Sequence, residues 1–425
     1  MEHYIKQHIA DIRRGNVPAG YKQIRRLGIY PIEWRKAKIE EFIRFYNEKS
    51  LTNNQFPVLT SSRKGLFLQK DYFEDQVTTE NNVGYNIIPR GYFTYRSRSD
   101  DGSFYFNCNT IIDKGVISCF YPVFSFDKTK VDTDYIFICL NELLKEQIYC
   151  EVAGTSQSVL SEKALSGMSL IVPPLAEQKR IAEILGCCDR GIALKKELIA
   201  EKKRQKRALM QKLLNPDSGF RLPGFTGEWR KTTIGEIGTF AKGKGIQNSQ
   251  CQKFGLPCVK YGDIYMKYSV SFDVAESFTT SEVFNGSLQV TSGVLLFTCS
   301  GEDSREIGKC TLYTGERPIA VGGDIIVMYP HESLSPAFLA YQQYSDDLIR
   351  QKNAFGKGNS IVHIHLPEIS SLKIALPPTR QEQQAIADIL SAADREIDLL
   401  EQELAQQQQK KKSLMQLLLT GIVRV

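Results

Sequence analysis

Two long stretches of the chain place apolar residues at alternating steps of four and three, which is the spacing of a coiled-coil seam. In the first stretch the seam positions are Ile181, Leu185, Cys188, Ile192, Lys195, Ile199, Lys202, Lys206, Leu209 and Leu213. In the second they are Ile386, Leu390, Ala393, Ile397, Leu400, Leu404, Gln407, Lys411, Leu414 and Leu418. Each seam is apolar at both ends and polar in the middle. The spacing predicts two amphipathic helices of about 38 residues, roughly 55–60 Å long at 1.5 Å per residue.

The two predicted helices are copies of one sequence. The first copy opens with Pro173-Pro174-Leu175-Ala176-Glu177-Gln178, and the second opens with Pro377-Pro378-Thr379-Arg380-Gln381-Glu382-Gln383. From Glu177 and Glu382 onward the offset is constant at 205 residues (382 − 177). The paired prolines block helix upstream, and Thr379 with Glu382 has the form of a capping box. Asn215-Pro216 and Gly421 are the stop signals.

A one-stripe helix of this length cannot bury its seam alone, and the nearest equivalent partner is the other copy. Two copies related by a twofold axis across their length lie antiparallel. We therefore expect a molecule built in two halves around an antiparallel helical pair. The alternative is a pair of unrelated surface helices on separate domains.

The segments 35–170 and 230–375 have a different pattern, with short runs of Tyr, Phe, Val and Ile broken by Gly, Asn and Asp. Strands are predicted at 92–95, 116–120, 294–297 and 324–328. The two segments resemble each other, since Trp34 and Trp229 open them and Gly91 and Ser158 have counterparts 202 residues later in Gly293 and Ser360. The side chains between these anchors mostly disagree. This indicates one scaffold with two different surfaces, and hence two different ligands.

The predicted fold class is α+β, with two mainly-β globular domains separated by two long antiparallel helices that form a coiled coil with a pseudo-twofold internal repeat. The predicted ranges are 1–33 (N-terminal helix and linker), 34–172 (first β domain), 173–215 (central long helix), 216–376 (linker and second β domain) and 377–425 (C-terminal long helix).

Composition changes this picture little. A chain of 425 residues with 42% hydrophobic and 24% charged residues is typical of a soluble protein with two ordinary domains. No apolar run reaches the roughly 18 residues of a membrane span, the N-terminus has no secretory pattern, and the ten cysteines show no CxxC pair. We therefore expect a cytoplasmic protein with no membrane association. The net charge of +6 permits nucleic-acid binding without demanding it.

The first predicted helix is strongly basic, with eight Lys or Arg and two Glu between Lys195 and Lys212. A solvated face is the usual meaning of such a run, while a phosphate or an acidic partner are the alternatives.

We found no sequence pattern for catalysis. The glycine-rich runs at 243–245 and 356–360 match neither GxxxxGK[ST] nor GxGxxG. His363-Ile364-His365 alternates as a strand does, but no Cys, Asp or Glu cluster accompanies it as a metal site requires. No Ser/His/Asp or paired-carboxylate spacing is present. The sequence therefore predicts a protein that binds and does not catalyse, with no metal and no cofactor of its own.

Both helices start with Pro-Pro and then, after two residues in the first copy and three in the second, Glu-Gln-x-x-Ile-Ala-x-Ile-Leu. This double start, the paired helices and the variable domain before each resemble the specificity subunit of type I restriction–modification systems. Gly235 in the run from Lys231 to Ile237 also looks like a domain opening of that family. The first domain departs from it, because Lys36-Ala37-Lys38-Ile39-Glu40 has no glycine there.

The resemblance implies two target recognition domains, each reading half of an interrupted double-stranded DNA sequence. The helical pair would set the unread gap and dock two methyltransferase subunits, and two ATP-driven restriction subunits would join. S-adenosylmethionine, ATP and Mg would then belong to the partner subunits. The methyltransferase subunits would flip the target adenine out of the stack.

Loops on a β scaffold supply the donors and acceptors that read base edges, while phosphate contacts fix register. In the first domain the candidate DNA-binding residues are Arg90, Arg96, Arg98, Lys114, Thr155, Ser156, Gln157 and Ser158. In the second domain they are Lys242, Lys244, Lys260, Tyr261, Lys267, Arg305, Lys309, Lys357, Asn359 and His363. Two rival interpretations remain, a coiled-coil scaffold whose β domains bind proteins, and a fused enzyme, which the missing motifs disfavour.

Overall fold

The computed structural model describes residues 2–24, 28–73, 81–152, 158–301, 307–355 and 362–425, without the side chains of residues 2–5 and 13. The chain divides into two compact units. Unit 1 comprises residues 1–194 and 404–425, and unit 2 comprises residues 195–403. The division falls within the two long helices, so each unit contains a part of both.

The two long helices predicted from the seam spacing are confirmed, as α6 with 39 residues and α12 with 40 residues. The remaining helices are short. The α-helices of the described residues are α1 (Glu2–Arg13), α2 (Gln69–Tyr72), α3 (Thr133–Glu142), α4 (Lys145–Val152), α5 (Glu162–Gly167), α6 (Leu175–Leu213), α7 (Tyr261–Met266), α8 (Ser281–Gly286), α9 (Pro336–Gln342), α10 (Asp346–Phe355), α11 (Leu366–Ser371) and α12 (Arg380–Leu419).

The strands are short in both units. In unit 1 they are β1 (Tyr21–Ile24), β2 (Gly28–Pro31), β3 (Arg35–Lys38), β4 (Ile43–Tyr46), β5 (Leu59–Ser62), β6 (Gly65–Leu68), β7 (Asn86–Pro89), β8 (Phe93–Tyr95), β9 (Arg98–Ser99), β10 (Phe106–Cys108), β11 (Lys114–Ile117), β12 (Val123–Phe126), β13 (Ser158–Val159) and β14 (Ser169–Val172). In unit 2 they are β15 (Arg230–Thr233), β16 (Gly238–Lys242), β17 (Cys251–Gln252), β18 (Leu256–Val259), β19 (Ser271–Phe272), β20 (Ser277–Thr279), β21 (Leu288–Val290), β22 (Val294–Thr298), β23 (Ser300–Gly301), β24 (Cys310–Tyr313), β25 (Ile319–Val321), β26 (Ile325–Pro330), β27 (Val362–His363) and β28 (Lys373–Leu376).

Each unit contains its own central sheet, and the two sheets have the same strand order, as the predicted common scaffold requires. The order is β10-β8-β12-β4 in unit 1 and β24-β22-β26-β16 in unit 2, and all of these pairs are antiparallel. Unit 2 adds β19 parallel to β24, and a second five-stranded sheet in the order β17-β20-β18-β25-β21.

Matching strand pairs also occur at the two ends of each β domain. The strand β3 pairs with β14, and β15 pairs with β28, so that the first and last strands of each domain lie side by side. These pairs fall inside the predicted ranges 34–172 and 216–376, whose limits remain predictions.

One predicted strand is too long. The run 116–120 is extended only to Ile117, the end of β11. The amide of Tyr121 donates to the carbonyl of Ser118 at 3.0 Å, so the chain turns at that point. The apolar pattern misled here because Phe120 remains half exposed at the tip of the turn.

The long helices pair antiparallel within each unit. In unit 2, Lys195 pairs with Glu403, Lys202 pairs with Glu396 at 2.6 Å and Lys206 pairs with Asp394, so the partner numbers fall as α6 advances. Lys203 also pairs with Glu401 of α12, at 2.7 Å. In unit 1, Lys411 of α12 reaches Asp189 of α6 at 2.5 Å. Much of the basic run on α6 therefore forms ion pairs with carboxylates of α12. An acidic partner was one of the open alternatives for this run, and here the partner is the other long helix.

The apolar ends of each seam lie in the domain cores. Ile181 and Leu185 of α6 are buried with Leu418 of α12 in the core of unit 1. Leu213 of α6 is buried with Ile386 and Leu390 of α12 in the core of unit 2. The polar middle of each helix forms the ion pairs, and the helix ends contribute to the hydrophobic cores.

The repeated Glu-Gln pair anchors each helix start in the same way. The side chain of Gln178 accepts from the Asp132 amide at 2.9 Å and donates to the Pro173 carbonyl at 2.8 Å. Gln383 accepts from the Ser335 amide at 2.9 Å and donates to the Pro377 carbonyl at 3.1 Å. Each glutamine thus joins its long helix to the N-cap of α3 or α9, so the duplicated motif has a structural role.

The adjacent glutamates are buried and bind arginines that follow the opposite helix ends. Glu382 receives two bonds from Arg221, at 2.9 and 2.7 Å, and Glu177 receives two from Arg424, at 2.5 and 2.8 Å. The indole N–H of Trp34 also donates to Glu177, at 3.1 Å. The predicted capping box at Thr379 is only half formed. Its hydroxyl accepts from the Glu382 amide at 3.2 Å, but the Glu382 carboxylate is taken by Arg221.

Candidate nucleic-acid interface

Each unit carries a two-stranded antiparallel ribbon that joins segments far apart in sequence. In unit 1, β9 pairs with β13, which places Arg98 opposite Val159 and Ser99 opposite Ser158. The amide of Leu160 continues this ribbon by donating to the Ser97 carbonyl at 2.9 Å. Two candidate groups of the first domain, the arginines at 96 and 98 and the end of the loop at 155–158, are therefore neighbours.

Unit 2 builds the same ribbon from β23 and β27, with Ser300 opposite His363 and Gly301 opposite Val362. Here too the following residue continues the pairing, since the Ile364 amide donates to the Cys299 carbonyl at 2.9 Å. Matching this register to unit 1 places Val362 at the position of Ser158. The proposed counterpart Ser360 is thus displaced by two residues and lies outside the described residues.

The two ribbons differ in the side chains that they present. Unit 1 displays Arg98 beside the half-exposed Val159, whereas unit 2 displays Ser300, whose Oγ lies 3.0 Å from His363 Nδ1. His363 and His365 are both exposed, with ring centroids 6.3 Å apart, and Ile364 between them is buried. The predicted alternation therefore holds, although the strand ends at His363 and His365 is the N-cap of α11.

Arg98 is held in a defined position. Its guanidinium carbon lies 4.5 Å from the centroid of the Phe120 ring, a cation–π arrangement. The Phe120 carbonyl accepts from both the amide and the hydroxyl of Ser97, at 2.9 and 2.7 Å, which ties the ring to the strand that carries Arg98. Arg96, two residues earlier in the chain, is also exposed.

The turn after β9 is fixed by a carboxylate. Asp101 accepts from the Ser99 hydroxyl at 2.9 Å and from the Ser103 amide at 3.0 Å, and it pairs with Arg63. These contacts lower the pKa of Asp101 to about 2, and the hydrogen bond from the Ser103 amide has the largest effect. The turn is consequently held by a charged group at neutral pH.

Arg90 and Lys114 lie outside the two strands of the ribbon. Arg90 donates to Asp113 Oδ1 at 3.0 Å and to the carbonyls of Thr110 and Ile111, so its guanidinium holds a loop. Lys114 is exposed, with its ammonium 5.8 Å from the centroid of the Phe56 ring. Ser158 is half-buried on β13. Thr155, Ser156 and Gln157 lie outside the described residues.

Several candidates of unit 2 surround a cleft of about 540 Å³. Lys260, Tyr261 and Lys267 line it, together with the glycines at 245, 262, 322 and 323. Lys260 donates to Asn248 at 2.9 Å, and Lys267 donates to Ser277 at 2.9 Å and pairs with Asp263 at 2.9 Å. Lys242 and Lys244 are exposed on the strand and loop that lead to the rim.

Two backbone features shape this cleft. A Cβ at position 243 would overlap with the carbonyl oxygen of Gly322, so the two glycine segments cross in direct contact. Ile246 has φ of 60°, a left-handed conformation that is costly for a β-branched residue. Its side chain is buried with Cys258, Phe284 and Ala320, which offsets this strain.

In another part of unit 2, the buried Lys352 of α10 connects that helix to the segments that contain Gly308 and Gln343. The ammonium of Lys352 donates to the carbonyls of Gly308 and Gln343, at 3.2 and 3.0 Å, and burial lowers the pKa of Lys352 to about 8. Lys309, next in sequence to Gly308, donates to the Tyr265 carbonyl at 3.1 Å. Arg305, Lys357 and Asn359 lie outside the described residues.

Sequence reasoning missed Phe120, Asp101 and the glycines at 322 and 323. Aspartate followed by glycine at 101–102 was a local turn signal, whereas nothing local connects Phe120 to Arg98. Among the described residues, no group of three or more His, Cys, Asp or Glu is placed to hold a metal ion. In the same part of the chain no helix meets the length and apolarity of a bilayer span.

Two ribbons of equal register on a duplicated sheet, each carrying polar side chains, define a protein with two related recognition domains. The family model "Type I restriction modification DNA specificity domain" matches twice, at residues 31–204 and 226–408. The chain belongs to this family.

Curated relatives agree. The chain is 25% identical over 331 residues to the type I restriction enzyme MjaVIII specificity subunit of Methanocaldococcus jannaschii, covering 73% of this chain and 75% of that protein. It is also 25% identical over 308 residues to the putative type I restriction enzyme MjaX specificity subunit of the same organism, covering 70% of each.

Two solved structures have a similar fold. One is the type I restriction–modification S subunit from M. genitalium, with a TM-score of 0.56, 15% identity, and coverage of 93% of this chain and 97% of that one. The other comes from a structural study of complex assembly and conformational transition of the type I R-M system, with a TM-score of 0.54, 15% identity, and coverage of 93% and 99%.

Proposed function

We propose that this chain is the DNA sequence-recognition subunit of a type I restriction–modification complex, in which each β domain reads one half of a bipartite target. The observation that carries the proposal is the ribbon built twice in one register with different side chains on it. The major groove of DNA admits a two-stranded β-ribbon, and base edges there distinguish all four base pairs. One scaffold with two different surfaces thus suits the reading of two different half-sequences.

The chain would act without catalysing a reaction itself. Two methyltransferase subunits and two ATP-driven restriction subunits would supply the chemistry, together with their S-adenosylmethionine, ATP and Mg, and the complex would work in the cytoplasm. The methyltransferase subunits would dock on the long helices.

We further propose that the helical pair sets the number of unread base pairs between the two half-sequences. The ion pairs between α6 and α12 support this role, because they fix the helices in one antiparallel register within each unit. A fixed register makes a defined spacing possible, whereas a pair free to slide would not.

The proposal predicts that the chain, expressed with the methyltransferase subunits of the proposed complex in a host lacking DNA methylation, produces one interrupted methylation motif. Single-molecule sequencing of the host genome measures the motif directly. A control culture with the methyltransferase subunits alone should show no motif. Methylation that is unspecific, or a motif that persists without this chain, would contradict the proposal and favour a scaffold that binds proteins.

A further inference from the structure

Arg98 occupies a position in unit 1 that differs in kind from its counterpart in unit 2. In the matched register of the two ribbons, Arg98 opposite Val159 corresponds to Ser300 opposite His363. Both ribbons continue by one more backbone hydrogen bond of the same kind. The Leu160 amide donates to the Ser97 carbonyl in unit 1, and the Ile364 amide donates to the Cys299 carbonyl in unit 2. What distinguishes the two ribbons here is the chemistry of the outward side chains.

The guanidinium of Arg98 is available for a ligand. The side chain is exposed, and within the described residues no carboxylate forms an ion pair with it. Arg90, by contrast, is committed to Asp113 and two carbonyls, and Arg63 is committed to Asp101. Among the described residues, the guanidinium of Arg98 on the ribbon is therefore not committed to a carboxylate.

The guanidinium is also restrained before any ligand arrives. The Phe120 ring lies under it at 4.5 Å, and the Ser97 bonds hold the Phe120 backbone to the same strand. This contact restrains the guanidinium without pairing it to a carboxylate of the described residues. A planar fork of donors suits the O6 and N7 acceptors of guanine, which are presented together in the major groove.

Resting on the proposed function, we infer that Arg98 reads a guanine in the half-sequence recognised by the first domain. Phe120 serves as a positioning residue that limits the conformations of the arginine. The corresponding position in the second domain, with Ser300 and His363, lacks this fork and reads a different base or none.

The inference is tested in the whole complex by mapping methylated motifs for the wild type, Arg98→Gln and Arg98→Lys. Both variants should relax the preference for guanine at one position of one half-sequence by about 5- to 150-fold, which corresponds to the roughly 1–3 kcal/mol of discrimination that a bidentate contact contributes. Lysine keeps the charge and loses the fork, so it separates base reading from phosphate contact. Arg44→Ala is the matched control, since Arg44 is an exposed arginine of the same unit paired with Asp127.

Three results would overturn the inference. The motif could stay unchanged in both Arg98 variants while methylation proceeds normally. Methylation could fall equally at all sites and recover in Arg98→Lys, which would identify a phosphate contact. Arg44→Ala could relax the same position. Absence of any motif for the wild-type complex is a different failure, because it would overturn the proposed function and the role of Arg98 with it.

Discussion

Replacing Arg221 by methionine should lower the free energy of unfolding of unit 2 by about 3–5 kcal/mol, because removing one partner of a buried ion pair strands the other charge. Glu382 is 1% exposed and is held by two bonds from Arg221, at 2.9 and 2.7 Å. Methionine retains a long apolar stem, so the loss reports mainly the missing guanidinium. The change is measured by denaturant-induced unfolding, with hydrogen exchange of residues 380–395 as the readout.

The control is Lys203→Met, which removes a cation from an exposed pair between Lys203 of α6 and Glu401 of α12. Exposed pairs contribute at most about 1 kcal/mol. Equal losses in the two variants would show that Arg221 is not an anchor of the helix start.

Replacing Gly421 by alanine should cost more than the same change at Gly219, although the two glycines share φ of 69°. An added Cβ at 421 would lie 2.6 Å from Pro31 Cδ and 3.2 Å from Trp34 Cζ2, whereas one at 219 would meet nothing within 4 Å. The shared left-handed conformation costs about 1–2 kcal/mol in both variants. Overpacking against two rigid rings adds about 1–3 kcal/mol at Gly421.

The difference between these two variants therefore isolates the close approach of the C-terminal segment to the core of unit 1. The carbonyl of Gly421 also accepts from the Tyr21 hydroxyl at 2.6 Å, so its displacement should release residues 414–425. Hydrogen exchange of that peptide is the measurement. Indistinguishable exchange in the two variants would mean that this segment does not depend on the contact with Pro31 and Trp34.

The sequence was informative wherever a long repeat carried the information. The heptad spacing predicted α6 and α12 because nearly 40 consecutive residues obey it, and the offset of 205 residues gave their equivalence. The Glu-Gln pair was visible as part of the repeat, but its role was not. Gln178 and Gln383 bind N-caps more than 40 residues away, and such contacts leave no local pattern.

The candidate interface could be predicted only in part. Arg98 and His363 were found as polar residues in loop-rich segments, yet their ribbons join two-residue strands about 60 residues apart. Strands this short have no periodicity to detect, and their pairing depends on the rest of the domain. The turn that presents Phe120 was mistaken for strand for the same reason, since an apolar residue at an exposed tip looks like a core residue.

The division of reading between the two β domains is the central claim, and exchange of one domain tests it most directly. Residues 230–375 are replaced by the same segment of a relative with a different target, and the methylation motif of the assembled complex is mapped. We expect one half of the motif to change to that of the relative, while the other half and the unread gap remain. A motif that is unchanged in both halves, or altered in both, would contradict the account.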